Sequence, residues 1–202
     1  MTRQLFIVRH GNTFDPGDTV TRVGARTDLP LSSSGRAQAD ALAWHFAGMS
    51  FARALTSPLT RTRQTAEIIL AAQVTPPALT EADFLREIDY GPDENQPDSA
   101  VLARIGEAAI RAWDEDGVAP PGWAVDPPAL VAAWRALFNS LAEHPHAGPV
   151  LAVTSNGVAR FALRAADSVP PGAALKLKTG AHGVITVTGD GHAKVEAWNL
   201  RP

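Results

Sequence analysis

The sequence predicts an α/β fold: a three-layer, mostly parallel central sheet with helices on both faces and a helical cap insertion. Three observations carry this. Short apolar runs ending in polar residues recur at 5–8, 51–57 and 149–154, as strands buried on both faces do. Stretches of helical period separate them, and alternating strand and helix argues for right-handed crossover units. The 202 residues suffice for one domain over 1–202, with the cap at about 85–146.

The first strand, within LFIVRHGNT, stops abruptly at Arg9, His10 and Gly11. A long polar loop follows over 12–30, and loops of that length in compact domains are usually functional. LSSSGRAQADALAWHFAG reads as a helix capped by Ser32, with Ala37, Ala41, Leu42 and His45 or Phe46 inward. FARALTS is the second strand, and Pro58 suits the first turn of the next helix, which turns Ala66, Ile69 and Leu70 inward. Residues 75–79 read as one short edge strand. Helical spacing over 98–114 turns Val101, Leu102, Ile105, Ala108, Ala109 and Trp113 inward. Asp126 caps a further helix to about Glu143, with Leu130, Val131, Trp134, Leu137, Phe138 and Leu141 inward. PVLAVT is the cleanest buried strand, and Ser155, Asn156 and Gly157 lead from it into a helix. The tail, with LKLKTG, VITVTGDG and KVEAWNL, reads as two or three strands, the last pair a hairpin around 189–191.

A net charge of −3 predicts no bulk attraction to nucleic acid or to an anionic membrane, so any anion site is local. There is no cysteine, which excludes disulfides, zinc–thiolate sites and thiol catalysis. No apolar run reaches the length of a membrane span, and only four residues precede the first strand, so a cytoplasmic protein is expected. No histidine pair has zinc-site spacing, so no metal is implied, and no cofactor is expected.

In a parallel sheet the strand ends share one edge, where ligands bind. That edge collects Arg9 and His10, Ser57 with Arg61, and Ser155 with Asn156. Guanidinium groups bind phosphate bidentately, and the amides of the Asn156–Gly157 step into a helix add to such a site. A neutral imidazole there can attack phosphorus, since flanking arginines disfavour its protonation. The alkoxide that leaves needs a proton, and Glu87, in a semi-apolar segment, is the best-placed carboxylate.

These residues carry a resemblance. LFIVRHGNT resembles the RHG signature of the histidine phosphatase superfamily, which includes phosphoglycerate mutases and broad phosphatases. RVGARTDLPLSSSGRAQA is similar to its second block, with Arg22, Gly24, Asp28, Leu31, Gly35 and Gln38 in register. TSPLTRTRQTA resembles its third block, whose phosphate-contacting arginine falls on Arg61. LREIDYG resembles the segment of the proton-donor glutamate, which falls on Glu87. The resemblance implies a histidine acid phosphatase-type phosphomonoesterase working through a phosphohistidine on His10. Arg9, Arg61, Ser155 and Asn156 would hold the phosphate, and Asn12, Thr13, Arg22 and Arg26 are candidates for a substrate loop. Its partner would be a small phosphorylated substrate or a phosphoprotein.

One departure stands out. The superfamily's second histidine follows the late strand, in a pattern like V-S-H-G-G, and here AVTSNGV puts Ser155 in its place. A neutral hydrogen bond in place of a charged one forfeits ~1–3 kcal/mol, roughly tenfold to a few hundredfold in rate. His182 is the candidate for rescue, whereas His45, His144, His146 and His192 read as solvent-facing. Two readings stay open: a phosphatase, or a binding module for phosphorylated ligands or phosphoproteins that kept the clamp. A pure binder has little use for a nucleophile and a proton donor together, which favours the enzyme.

Overall fold

The computed structural model describes residues 2–143 and 148–202. His144 and His146 lie outside the described residues. The strands are β1 (Thr2–Arg9), β2 (Arg53–Thr56), β3 (Leu79–Glu81), β4 (Val150–Thr154), β5 (His182–Thr188) and β6 (Ala193–Leu200). The helices are α1 (Ser33–Phe46), α2 (Thr60–Ala71), α3 (Asp98–Asp116), α4 (Pro127–Glu143) and α5 (Asn156–Ala165). The strands form one sheet in the order β3-β2-β4-β1-β5-β6. The pairs β2–β3, β2–β4 and β1–β4 are parallel, and β5 is antiparallel to both of its neighbours, β1 and β6.

The apolar run of β1 fills both faces. Phe6 and Val8 enter a cluster with Leu42, Phe46, Ala66 and Ile69 of α1 and α2. Leu5 and Ile7 enter the larger cluster with Trp134, Phe138 and Phe161 of α4 and α5. Each such side chain contributes roughly 1.5–3 kcal/mol by leaving water, so the run determines where the sheet sits. No helix of the described residues is long and apolar enough to cross a membrane.

Several local expectations change. Ser32 does cap α1, accepting from the Gly35 amide, but the buried face is Gly35, Ala39, Leu42, Ala43 and Phe46, with Ala37 exposed. Pro58 lies ahead of α2, whose first amide, that of Thr60, donates to Asp28 of the long loop at 2.7 Å. The edge strand begins at Leu79, after Pro76 and Pro77, which have no N–H to give a ladder. LKLKTG forms no strand. Gly106 breaks α3 at φ 79, ψ 160, so the helical phase resets there: Val101 and Trp113 are buried while Leu102 and Ala108 are exposed. Trp44 stands on the surface, 84% exposed.

The segment over 85–146 is expected as a cap. Helix α4 belongs to the main layer, because Trp134, Leu137, Phe138 and Leu141 share a cluster with Leu5 and Ile7. Helix α3 reaches the same cluster through Val101 and Trp113, and Asp98, Trp113 and Asp114 line the cavity at the strand ends.

Candidate active site

The parallel register sets Arg9 beside Thr154, so the chain leaves β1 and β4 side by side. The His10 amide then donates to the Thr154 carbonyl at 3.1 Å. A cavity of about 410 Å³ opens there, walled by Arg9, His10, Asn12, Thr13, Glu87 and Asn156 around its base.

His10 is buried, and its Nδ1 lies 2.7 Å from the Gly11 carbonyl oxygen. A carbonyl only accepts, so Nδ1 carries the proton and Nε2 holds the free pair. The Arg61 Nε–H donates to Nε2 at 3.3 Å. Burial, then the charges of Arg61 and Arg9, hold the imidazole well below its usual pKa, against the opposing Gly11 bond. The ring is therefore neutral at pH 7. The turn depends on two glycines: a Cβ on Gly11 would meet the Gly35 oxygen at 2.2 Å, and one on Gly35 the Asn12 oxygen at 2.0 Å.

Arg61, expected in the clamp, is fully buried in the first turn of α2 and does not wall the cavity. Its Nη1 and Nη2 donate to the Thr27 and Gly24 carbonyls at 2.9 and 3.1 Å, gripping the long loop from behind His10. Arg9 does wall the cavity. Its Nη1 donates to the Leu177 carbonyl at 2.9 Å, and its Nε has no partner among the described residues.

Glu87 is buried, accepting from the Ile88 amide (3.0 Å) and the Gly157 amide (3.2 Å). A Cβ on Gly157 would meet Glu87 Oε1 at 2.2 Å, so only glycine lets the carboxylate dock on the start of α5.

Ser155 is not on the wall. It is fully buried, with its Oγ unpartnered among the described residues, because the extended chain at the end of β4 turns this side chain inward. Asn156, the next residue, lines the cavity instead. Its Oδ1 accepts from the Leu177 amide at 2.9 Å, which leaves Nδ2 as a donor.

His182, the candidate for rescue, does not line the cavity. It pairs in register with Val8, and cross-strand partners share a face, so its ring joins Phe6 and Phe46 in the α1–α2 cluster. His45 lies 5.0 Å away, and burial, then His45, lowers the His182 pKa to about 4. Of the loop candidates, Asn12, Thr13 and Arg22 line the cavity. Arg22 pairs with Asp98 at 3.0 Å and lies over the Tyr90 and Trp123 rings. Arg26 turns away to Asp89 and the Gly91 carbonyl. Trp123 is buried, donating to Asp93, and does not line the cavity. Ser57 is buried in hydrogen bonds with Thr62 and the Leu59 amide.

Sequence reasoning missed several residues. Glu94 accepts from the Gly24, Arg26 and Tyr90 amides and the Thr27 hydroxyl, fastening the loop to the Glu87 segment. Tyr90, Asp114, Lys176 and Thr179 also line the cavity. Arg160 is a fully buried cation on α5, and its signal was a charge inside the apolar stretch VARFAL.

A neutral strand-end histidine backed by a buried guanidinium thus stands on a mostly parallel sheet covered on both faces. The sequence model of the histidine phosphatase superfamily (branch 1) matches residues 5–201, and the chain belongs to that superfamily. It is 31% identical over 156 residues to 2,3-bisphosphoglycerate-dependent phosphoglycerate mutase 2 of Gloeobacter violaceus, covering 76% of this chain and 70% of that one. A phosphoglycerate mutase structure from Bacillus anthracis matches with TM-score 0.81 at 21% identity, over 98% of this chain and 93% of that one. The mycobacterial glucosyl-3-phosphoglycerate phosphatase in complex with VO3 matches with TM-score 0.80 at 22% identity, over 98% and 99%. Mutases and phosphatases thus both stand among the proteins that it resembles.

Proposed function

We propose that the protein is a phosphomonoesterase acting through a phosphohistidine on His10. The observation that carries this is the neutral His10 ring, with its proton held at Nδ1 by Gly11 and its Nε2 turned to Arg61. Phosphate enters between Arg9, the Asn156 amide group and His10. The Arg61 Nε–H transfers its hydrogen bond from Nε2 to a phosphoryl oxygen as Nε2 attacks phosphorus. The bond from phosphorus to the alcohol oxygen breaks, and Glu87, as general acid, gives that oxygen its proton. Glu87 then takes a proton from water, which attacks the phosphohistidine and releases inorganic phosphate. A cavity of about 410 Å³ favours a small phosphorylated substrate over a phosphoprotein.

The test is turnover of an aryl phosphate and a panel of small phosphomonoesters by wild type and His10→Ala. Wild type is expected to release phosphate, with acid-labile, base-stable phosphate on His10 after quenching. Isomerisation of a phosphoglycerate without net phosphate release would make it a mutase. Rates at the buffer level for both proteins would sink the enzymatic reading and leave a binding module.

A further inference from the structure

Arg160 takes no part in the reaction as written, yet its position is costly. Its guanidinium is fully buried on α5. An isolated buried charge loses several kcal/mol of hydration unless partners restore it. Its partners are few. Nη1 donates to the Trp113 carbonyl and Nε to the Asn156 carbonyl at 3.4 Å, while the guanidinium carbon lies 4.1 Å from the centre of the Trp113 ring. Nη2 has no hydrogen-bond partner among the described residues but makes a long ion pair with the part-exposed Asp114 carboxylate, at 3.7 Å. Both carbonyls belong to residues of the cavity wall.

The charged groups around the cavity base show what the buried cation does. Arg9, Arg61 and Arg160 each feel Glu87, and burial is the first cause of the lowered pKa of all three. His10 is neutral, and burial holds Tyr90 as a neutral phenol. Arg9, Arg61 and Arg160 thus bring three guanidiniums, with the Asp114 carboxylate 3.7 Å from Arg160, to the base of the site proposed for a phosphomonoester dianion. The groups acting on Arg160 are Arg9 from β1, Glu87 and Tyr90 from the segment after β3, and Asp114 from α3.

We propose that Arg160 is a positioning residue for the reaction at His10: it fastens the Trp113 end of α3 to Asn156 and supplies the buried charge that matches the site to a dianion. The inference rests on the phosphate site read above and deepens it.

The experiment is titration of the full chain with inorganic phosphate by calorimetry from pH 6 to 9, for wild type, Arg160→Met and Arg160→Lys. A guanidinium keeps its proton throughout this range, whereas a buried amine loses it as pH rises. Arg160→Met is expected to bind phosphate at least tenfold more weakly at every pH. Arg160→Lys is expected within about threefold of wild type at pH 6 and to fall at least fivefold further behind by pH 9. A purely structural arginine would give a ratio independent of pH. A constant ratio for Arg160→Lys overturns the charge-matching role, and this variant decides the matter even where Arg160→Met does not fold. Arg160→Met binding as wild type overturns it as well. Absence of phosphate binding by wild type would sink the phosphate site and this inference together.

Discussion

The Arg61 Nε–H donates to Nε2 of His10 at 3.3 Å, while the rest of the same guanidinium holds the carbonyls of Gly24 and Thr27. One buried side chain therefore couples the proposed nucleophile to the long loop over 12–30. Arg61→Lys keeps a charge but has no planar fork for three acceptors. It is expected to lower kcat by 10²-fold or more, about 2.7 kcal/mol, and to expose the loop to proteolysis. Steady-state kinetics and limited digestion check this; a loop as protected as in wild type would separate the two roles.

Asn156, rather than Ser155, offers a polar group to the cavity. Asn156→Ala removes a neutral donor and the acceptor for the Leu177 amide, and a fall of about tenfold in kcat/KM is expected. Ser155→His would force a ring into filled space, which costs about 1–3 kcal/mol of stability. A lower melting temperature with no gain in turnover is expected. A rise in turnover would put the wall at Ser155 after all.

Gly157→Ala places a methyl carbon against Glu87 Oε1, 2.2 Å from its present position. The carboxylate must leave the Gly157 amide, so kcat is expected to fall tenfold or more with KM changed less than threefold. The effect should shrink for substrates with acidic leaving groups such as nitrophenol, which need little protonation. Equal losses on alkyl and aryl phosphates would argue against Glu87 as the donor.

His182 and His10 are both held neutral in the fold, with pKa values below that of an unfolded imidazole. The sign follows directly. The unfolded chain binds the extra protons, so stability is full above about pH 6.5 and is lost as pH falls below it. Each proton steepens the loss by roughly 1.4 kcal/mol per pH unit, down to about pH 4 for His182. Urea titrations at pH 7 and pH 5 should show His182→Leu losing less stability than wild type between the two. Its turnover should stay within threefold of wild type, because the ring faces the α1–α2 cluster.

The sequence alone determined the frame. The apolar runs at β1, β2 and β4, the helical periods between them and the capping residue Ser32 are local properties, set by burial over a few residues and by hydrogen bonds within a turn. They place Arg9 and His10, Ser57 with Arg61, and Ser155 with Asn156 at one sheet edge without coordinates, and a semi-apolar segment singles out Glu87. Only the tertiary structure decided which of these reach the cavity. Arg61 withdraws behind His10 because loop carbonyls far away in sequence claim its fork. Ser155 turns inward and Asn156 outward because the chain leaves β4 extended before α5 begins. His182 goes to the opposite side of the sheet because its register with Val8 assigns its face. Arg160 and Glu94 stayed hidden for the same reason: Trp113 and Asp114 for the one, and Gly24, Arg26 and Thr27 for the other, lie 46 to 70 residues away, and no local pattern records a contact across that distance.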